Sequence, residues 1–356
     1  MIRFRQAEEK DYNSINDFYN RINSSKRSIE QFTWQFHNCP YGPSIYIIGE
    51  DEDKIVGTNC VIPIELVTSE NKTILTGKSE DTLVDPAYRG QNIFFNLYQV
   101  LFEACKENGI KVVWGFTSAY KPFKKLGFRI PYIHQQGLAV NKIFPSYNYL
   151  SQLNKKNNLV SRAKILGLCI YSKLKFAISF HSTNIKEYRI SIQEEILDNV
   201  DSLIQTNLIS NRGSFAINQS PDFQKWRIYD NPNYHRVHTY GFYDDNQILK
   251  GLIIFNSHPN KAVYISQSTF HSDLSSKVVS AMINYATHKM FQQGITFIRN
   301  WHFDHNHYNK SEIGNYHNAG YIVIRRGIGM VWKELDGFEL NPDGFHLSRI
   351  ATQGVI

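Results

Sequence analysis

The chain has 356 residues, 42% hydrophobic and 20% charged, a globular composition that excludes wholesale disorder and a length that suits two domains. Lys and Arg outnumber Asp and Glu by 39 to 32, a net charge of +7 that favours anionic partners in general. The start, Met1 to Asp11, is charged without an apolar core, and no run approaches ~18 uncharged apolar residues; no secretory signal or membrane-spanning helix is expected, and the location is expected to be cytoplasmic.

In chain order, alternation and turn residues predict a strand at Ile2–Gln6, helices at Asp11–Ile22 and Ser28–Phe36, and strands at Ser44–Gly49, Lys54–Val67 and Thr73–Val84. Pro86 closes the last strand, since proline brings no N–H to a ladder. The turn through Arg89-Gly90 then opens a helix over Gln91–Asn108, with Ile93, Phe94, Leu97, Leu101 and Ala104 on one face. A strand at Lys111–Phe116 and a short helix ending at Leu126-Gly127-Phe128 complete the segment. A helix that starts on a glycine turn directly after a strand offers N–H groups without intrahelical partners, and its dipole adds about half a positive charge there. Such a turn is an anion site, and phosphate is its natural guest.

Residues 141–190 hold nine Lys or Arg (Lys142, Lys155, Lys156, Arg162, Lys164, Lys173, Lys175, Lys186, Arg189) against Glu187 alone, a net of +8 that leaves the rest of the chain at −1. From Leu159 to Phe180, apolar residues at 159, 163, 166, 170, 174 and 177 recur at helical spacing between the basic ones. One or two helices bridging two domains are expected, with a peripheral contact to anionic lipid or a polyanion as the second reading. The four cysteines, Cys39, Cys60, Cys105 and Cys169, form no C-x-x-C pair and are expected to be buried reduced thiols.

Beyond the connector the sequence repeats. Trp34 and Trp226 each stand six residues before a proline, at an offset of 192. Gly57 and Gly251 follow matching acidic turns at an offset of 194, and Leu126-Gly127-Phe128 matches Ala319-Gly320-Tyr321 at 193. Three anchors at nearly one offset imply two copies of one domain. The second copy is seven residues shorter between its glycine and its Trp301, and six longer between Trp301 and Gly320.

The order of elements in the first copy, Val84-x-Pro86-x-x-Arg89-Gly90-x-x-Ile93 after a long strand, then helix, strand and Leu126-Gly127-Phe128, resembles the GNAT superfamily of N-acetyltransferases, whose turn cradles the pyrophosphate of acetyl-CoA. The resemblance implies an α/β (α+β) fold of two GNAT-like domains, each a mixed, mostly antiparallel sheet flanked by helices. Their expected limits are 1–140 for the acyl-CoA-binding domain, 141–188 for the basic helical connector and 189–356 for the second domain. Arg89 and Gly90 match the family's Arg-Gly, while Asn92 replaces the usual second glycine and Phe94 the usual small residue. The resemblance assigns acetyl-CoA, as co-substrate, to Leu83, Val84, Arg89, Gly90, Gln91, Asn92, Ile93 and Phe94, with Ser118 and Phe123 beyond the next strand. It implies a general base on the strand before the turn, Glu80 or Asp81, which alternation points to opposite faces. The family's usual acid, a tyrosine, is Phe123 here, so Tyr120, one helical turn earlier, is the expected stand-in, with Ser118 as the weaker one.

The second copy's turn, Phe270 to Ser276, lacks both the Arg-Gly and the proline, so that copy is expected to shape the substrate pocket. Trp301-His302-Phe303-Asp304-His305-Asn306-His307-Tyr308 contains metal donors at no familiar zinc spacing. It is read as a polar loop, with His302 and His305 toward the acceptor and no metal. The function expected is transfer of acetyl from acetyl-CoA to a primary amine. The 14% aromatic content and the basic connector lean the acceptor toward an amino sugar or glycan precursor, and no nucleic acid partner is expected. Two other readings stand beside it: an aminoacyl-tRNA-dependent transferase of cell-wall peptide assembly, a family that also pairs GNAT-like domains, and a non-catalytic module sensing an acyl-CoA or glycan.

Overall fold

A computed structural model describes residues 2–154, 158–179, 185–233, 236–257 and 262–351. The first half runs β1 (Arg3–Gln6), α1 (Tyr12–Asn23), α2 (Ile29–Phe36), β2 (Ile45–Asp51), β3 (Lys54–Thr68), β4 (Thr73–Val84), α3 (Ile93–Glu107), β5 (Val112–Thr117), α4 (Tyr120–Lys125) and β6 (Ile133–Val140). Helices α5 (Ile143–Gln152) and α6 (Leu159–Ile178) follow. The second half runs β7 (Arg189–Gln193), α7 (Val200–Ile209), β8 (Phe215–Ile217), α8 (Pro221–Gln224), β9 (Arg236–Tyr243), β10 (Leu249–Ser257), β11 (Ala262–Phe270), α9 (Ser276–Gln292), β12 (Phe297–His302), α10 (His307–Asn318) and β13 (Ile322–Glu334).

The chain divides into two compact units. Unit 1 comprises Met1–Pro131, Phe215–Pro232 and Ile328–Phe345. Its strands pair in the order β1-β2-β3-β4-β5-β13, antiparallel except for the parallel β4/β5 step. Helix α3 buries Ile93, Leu97, Tyr98, Leu101, Ala104 and Cys105 in the core of this unit, as its 3.6-residue periodicity requires.

Unit 2 comprises Tyr132–Ser214, Asn233–Gly327 and His346–Ile356. Its strands repeat the pattern as β7-β9-β10-β11-β12-β6, with a single parallel step at β11/β12. Each unit therefore takes its last strand from the other half of the sequence, the part of β13 from Ile328 onward in unit 1 and β6 in unit 2. The units interleave where the sequence reading drew contiguous limits at 140 and 189. Strand pairing is decided by edge and register, and neither is visible as a break in composition.

The length differences between the copies also find their places. Strands β3 and β4 have 15 and 12 residues, whereas β10 and β11 have nine each. The shortening thus lies in this hairpin, and the longer tip in unit 1 pairs Leu66–Thr68 with β8. The six residues gained after Trp301 extend a helix: α10 has 12 residues where α4 has six. The polar loop expected there is confined to residues 303–306, between β12 and α10, and the added length is helix.

The connector helices belong to unit 2. Lys155, Lys156 and Phe180 lie outside the described residues. Helix α6 turns Cys169, Ser172 and Phe176 inward, not the stripe read from the sequence, whose Leu159, Ile170 and Leu174 are exposed. All four cysteines are buried and free. Among the described residues no helix is long and apolar enough to cross a membrane.

Candidate active site

The parallel pairing of β4 with β5 is confined to Gly77–Val113 and Lys78–Trp114. Beyond it a bulge interrupts the β3/β4 register between Thr58 and Cys60, and Asp81 adopts left-handed backbone at φ 47°. An extra residue in one strand bends it and re-aims its side chains. A cavity of about 460 Å³ opens here, lined by Ser79–Val84 on one strand and Gly115–Thr117 on the other. The bulge places both Glu80 and Asp81 at this cavity, where strict alternation would have divided them.

The two carboxylates have different partners. Asp81 accepts from Arg27 Nη1 at 2.6 Å and from Tyr46 Oη at 3.0 Å. Arg27 is itself held by Asn16 and lies 3.7 Å from the Tyr19 ring centroid. Burial holds the Asp81 carboxyl above its usual range although Arg27 pulls it down. This is a structural ion pair, and it leaves Asp81 little freedom to exchange protons. Glu80 is partly exposed and pairs with Lys78, whose ammonium is pushed well down by burial and then by Arg227. Of the two, Glu80 is the carboxylate accessible from the cavity.

The turn beyond β4 is built by Asp85. Its carboxylate accepts the Ala87 N–H at 3.0 Å and Arg21 Nη1 at 2.9 Å, fixing the short helical turn Pro86–Tyr88. Gly90 (φ 88°) and Asn92 (φ 58°) then carry the chain through left-handed backbone into α3. Asparagine tolerates that region better than most residues, so the usual second glycine is replaced without loss of the turn. The Asn92 side chain does not cap the helix, so the first N–H groups of α3 face outward beside exposed Arg89, Gly90 and Gln91. An anion fits this opening. The equivalent start in the second copy is closed: Ser275 Oγ accepts the Val278 N–H of α9.

Other expected site residues are distributed unevenly. Leu83, Val84, Arg89, Phe94 and Phe123 line the cavity. Ile93 is buried under α3. Phe94 meets Phe123 edge-on, with centroids 5.4 Å apart, and packs on Tyr98 at 4.9 Å. Ser118 is exposed on the loop before α4 and is not among the cavity residues. Neither is Tyr120, whose ring covers Gly329, where a Cβ would meet it at 2.9 Å. The structure brings neither proposed acid into the cavity. His302 is fully buried at the end of β12, 4.0 Å from Glu312, and His305 stacks on Tyr132 at 3.8 Å, both within unit 2.

Sequence reasoning missed Tyr98, Arg27 and Lys78. The Tyr98 hydroxyl bonds Ser79 Oγ at 2.8 Å and Thr82 Oγ1 at 3.1 Å, and burial pushes it up to about 12. Tyr98 stood outside the helix face read from the sequence, and no local signal marks Arg27 or Lys78 as partners of the two acids.

Residues 3–130 match the family profile described as an acetyltransferase (GNAT) domain. No curated protein matches the chain. Among solved structures, the chain is similar to a probable N-acyltransferase of Enterococcus faecalis, with a TM-score of 0.60, 8% identity, and coverage of 94% of this chain and 73% of that one. It is similar to a tandem GNAT protein from the clavulanic acid biosynthesis pathway (TM-score 0.58, 11% identity, 95% and 100% coverage). The N-myristoyltransferase of Saccharomyces cerevisiae with bound myristoyl-CoA is also similar (TM-score 0.56, 9% identity, 93% and 82% coverage).

Proposed function

Residues 3–130 match a GNAT acetyltransferase domain and the chain shares its fold with a tandem GNAT protein; from that premise we propose that it is a tandem-domain acyltransferase of this superfamily that moves acetyl from acetyl-CoA to a primary amine, with the chemistry confined to the unit 1 cavity. The open start of α3 carries this reading: the N–H groups from Gln91 to Phe94, with Arg89 beside them, would hold the pyrophosphate. The gap between β4 and β5 would take the pantetheine arm. Leu83 and Val84 would border it with backbone groups no longer used by β5, and Phe94 and Phe123 would wall its apolar side.

Glu80 is the general base in this proposal. It takes a proton from the acceptor ammonium, directly or through a water, so that the neutral nitrogen attacks the thioester carbonyl carbon. The carbon–sulfur bond then breaks, the nitrogen gives its second proton to solvent as the amide forms, and the CoA thiolate takes a proton from solvent, since Phe123 has none to give. The acceptor class we favour is an amino sugar or glycan precursor: aromatic residues make up 14% of the chain, which suits stacking on sugar rings. Purified protein with acetyl-CoA and a panel of amino sugars, polyamines and peptides tests this. Thiol release with an amino sugar is expected. Turnover of only a polyamine or peptide would contradict the acceptor, and tight CoA binding without turnover of any amine would leave a binding module instead.

A further inference from the structure

Helix α6 has two apolar faces, and among the described residues only one is covered. Ile165, Cys169, Ser172 and Phe176 recur every three or four residues and form the inward side. On the opposite side lie Val160, Ile170, Tyr171, Leu174 and Ile178, and Val160 (63%), Leu174 (60%) and Ile178 (73%) are largely open to solvent. At 100° per residue, Lys173 falls toward one border of this stripe, and Lys164 and Lys175 along the other. Lys175 is fixed by its bond to the Tyr321 carbonyl at 2.6 Å, whereas Lys164 and Lys173 are exposed. The stripe borders a groove of about 930 Å³, to which Lys277 of α9 adds another cation.

The charge on this face has one sign. Helix α6 carries Arg162, Lys164, Lys173 and Lys175 and no Asp or Glu, and among the described residues the groove beside it is lined by Lys175 and Lys277 and no carboxylate. Two copies meeting through α6 would oppose cation to cation, which disfavours self-association. A nucleic acid would satisfy the cations and leave the apolar stripe in water. A surface with anionic headgroups over an apolar interior satisfies both rows together.

We propose that the outer face of α6 lies on a membrane surface rich in anionic lipid, with Val160, Leu174 and Ile178 at the headgroup–acyl boundary and Lys164 and Lys173 among the phosphates. This inference is independent of the acyl-transfer reading.

Co-sedimentation of the full chain with phosphatidylcholine vesicles, with and without phosphatidylglycerol, tests it. Binding is expected only with phosphatidylglycerol and should weaken with added salt. L174E/I178E should lose partition on the order of a hundredfold, and K164Q/K173Q about tenfold. The altered side chains are exposed, so unchanged melting curves and acetyl-CoA affinity will show the variants intact. No sedimentation with phosphatidylglycerol vesicles would overturn the proposal. So would binding that survives L174E/I178E, which would mean a simple polyanion contact. A wild-type dimer that becomes monomeric in L174E/I178E would show that a second copy covers the stripe, and would overturn it too.

Discussion

Trp34 and Trp226, 192 positions apart, exchange hydrogen bonds reciprocally: each indole Nε1–H donates to the other's backbone carbonyl at 2.7 Å. Their rings lie 5.8 Å apart, and both belong to unit 1. The two anchors that expose the repeat in the sequence are thus the same two residues that meet in space. The pairing fixes a segment of the second copy, the π-turn Lys225–Tyr229, within the first unit.

Trp226→Phe keeps an aromatic ring but removes the donor to the buried Trp34 carbonyl, and should cost about 1–3 kcal/mol. Trp226→Ala also leaves a cavity and should cost about 3–5 kcal/mol. Urea unfolding of both variants checks the order. Equal losses would mean that the hydrogen bond contributes nothing beyond packing.

The two cavity carboxylates should separate by phenotype. Asp81→Asn strands Arg27 as a buried charge, so a loss of about 3–5 kcal/mol in stability is expected. Glu80→Gln retains an acceptor for Lys78 and should leave the melting temperature nearly unchanged, while lowering kcat by about a hundredfold or more. Melting curves and steady-state rates on the same preparations decide. Full activity in Glu80→Gln would remove it as the base.

His346 supplies a pH dependence. It stacks on Tyr308 with ring centroids 4.0 Å apart, and burial, aided by His305, pushes it down to about 4. A free histidine titrates near ~6.5. Above that pH both folded and unfolded states are neutral, and the contribution is fully present. As pH falls from about 6.5 toward 4, the unfolded chain takes up a proton that the folded chain refuses, so stability declines by about 2–3 kcal/mol. Denaturant titrations at pH 7 and pH 4.5 measure the decline, which His346→Gln should reduce.

Much of this was legible in the sequence for local reasons. Alternating β-branched residues gave β3 and β4 within a residue of their observed limits, and Pro86 with Arg89-Gly90 marked the turn because proline and glycine punctuate the backbone directly. The two copies were visible through Trp34, Trp226 and their companions. What escaped notice depends on distant pairing. Nothing near β6 or β13 records which sheet edge each will join. The bulge at Asp81 overrides alternation because β4 carries two residues, Asp81 and Thr82, opposite the single Asn59 of β3, a register that β4 alone does not record. Tyr120, chosen for its position before Phe123, turns onto Gly329, and the apolar stripe of α6 was legible as a stripe but not as an outward one, since periodicity alone does not say which side of a helix meets a core.

Phosphate binding should depend on the turn of the first copy alone. Arg89→Ala should weaken acetyl-CoA by about 1.5–3 kcal/mol, the value of a charged hydrogen bond. Changes at Ser272 or Ser275 should leave affinity intact, because the start of α9 already holds its own cap. Affinities from competition with a fluorescent CoA analogue check both.

The most direct test of the account is calorimetric titration of the full chain with acetyl-CoA, which reads stoichiometry and affinity together. The account predicts one molecule per chain, with affinity lowered by Arg89→Ala and untouched by Ser275→Ala. Two molecules per chain, or a single site lost on Ser275→Ala and kept on Arg89→Ala, would place the site in the other unit and contradict it.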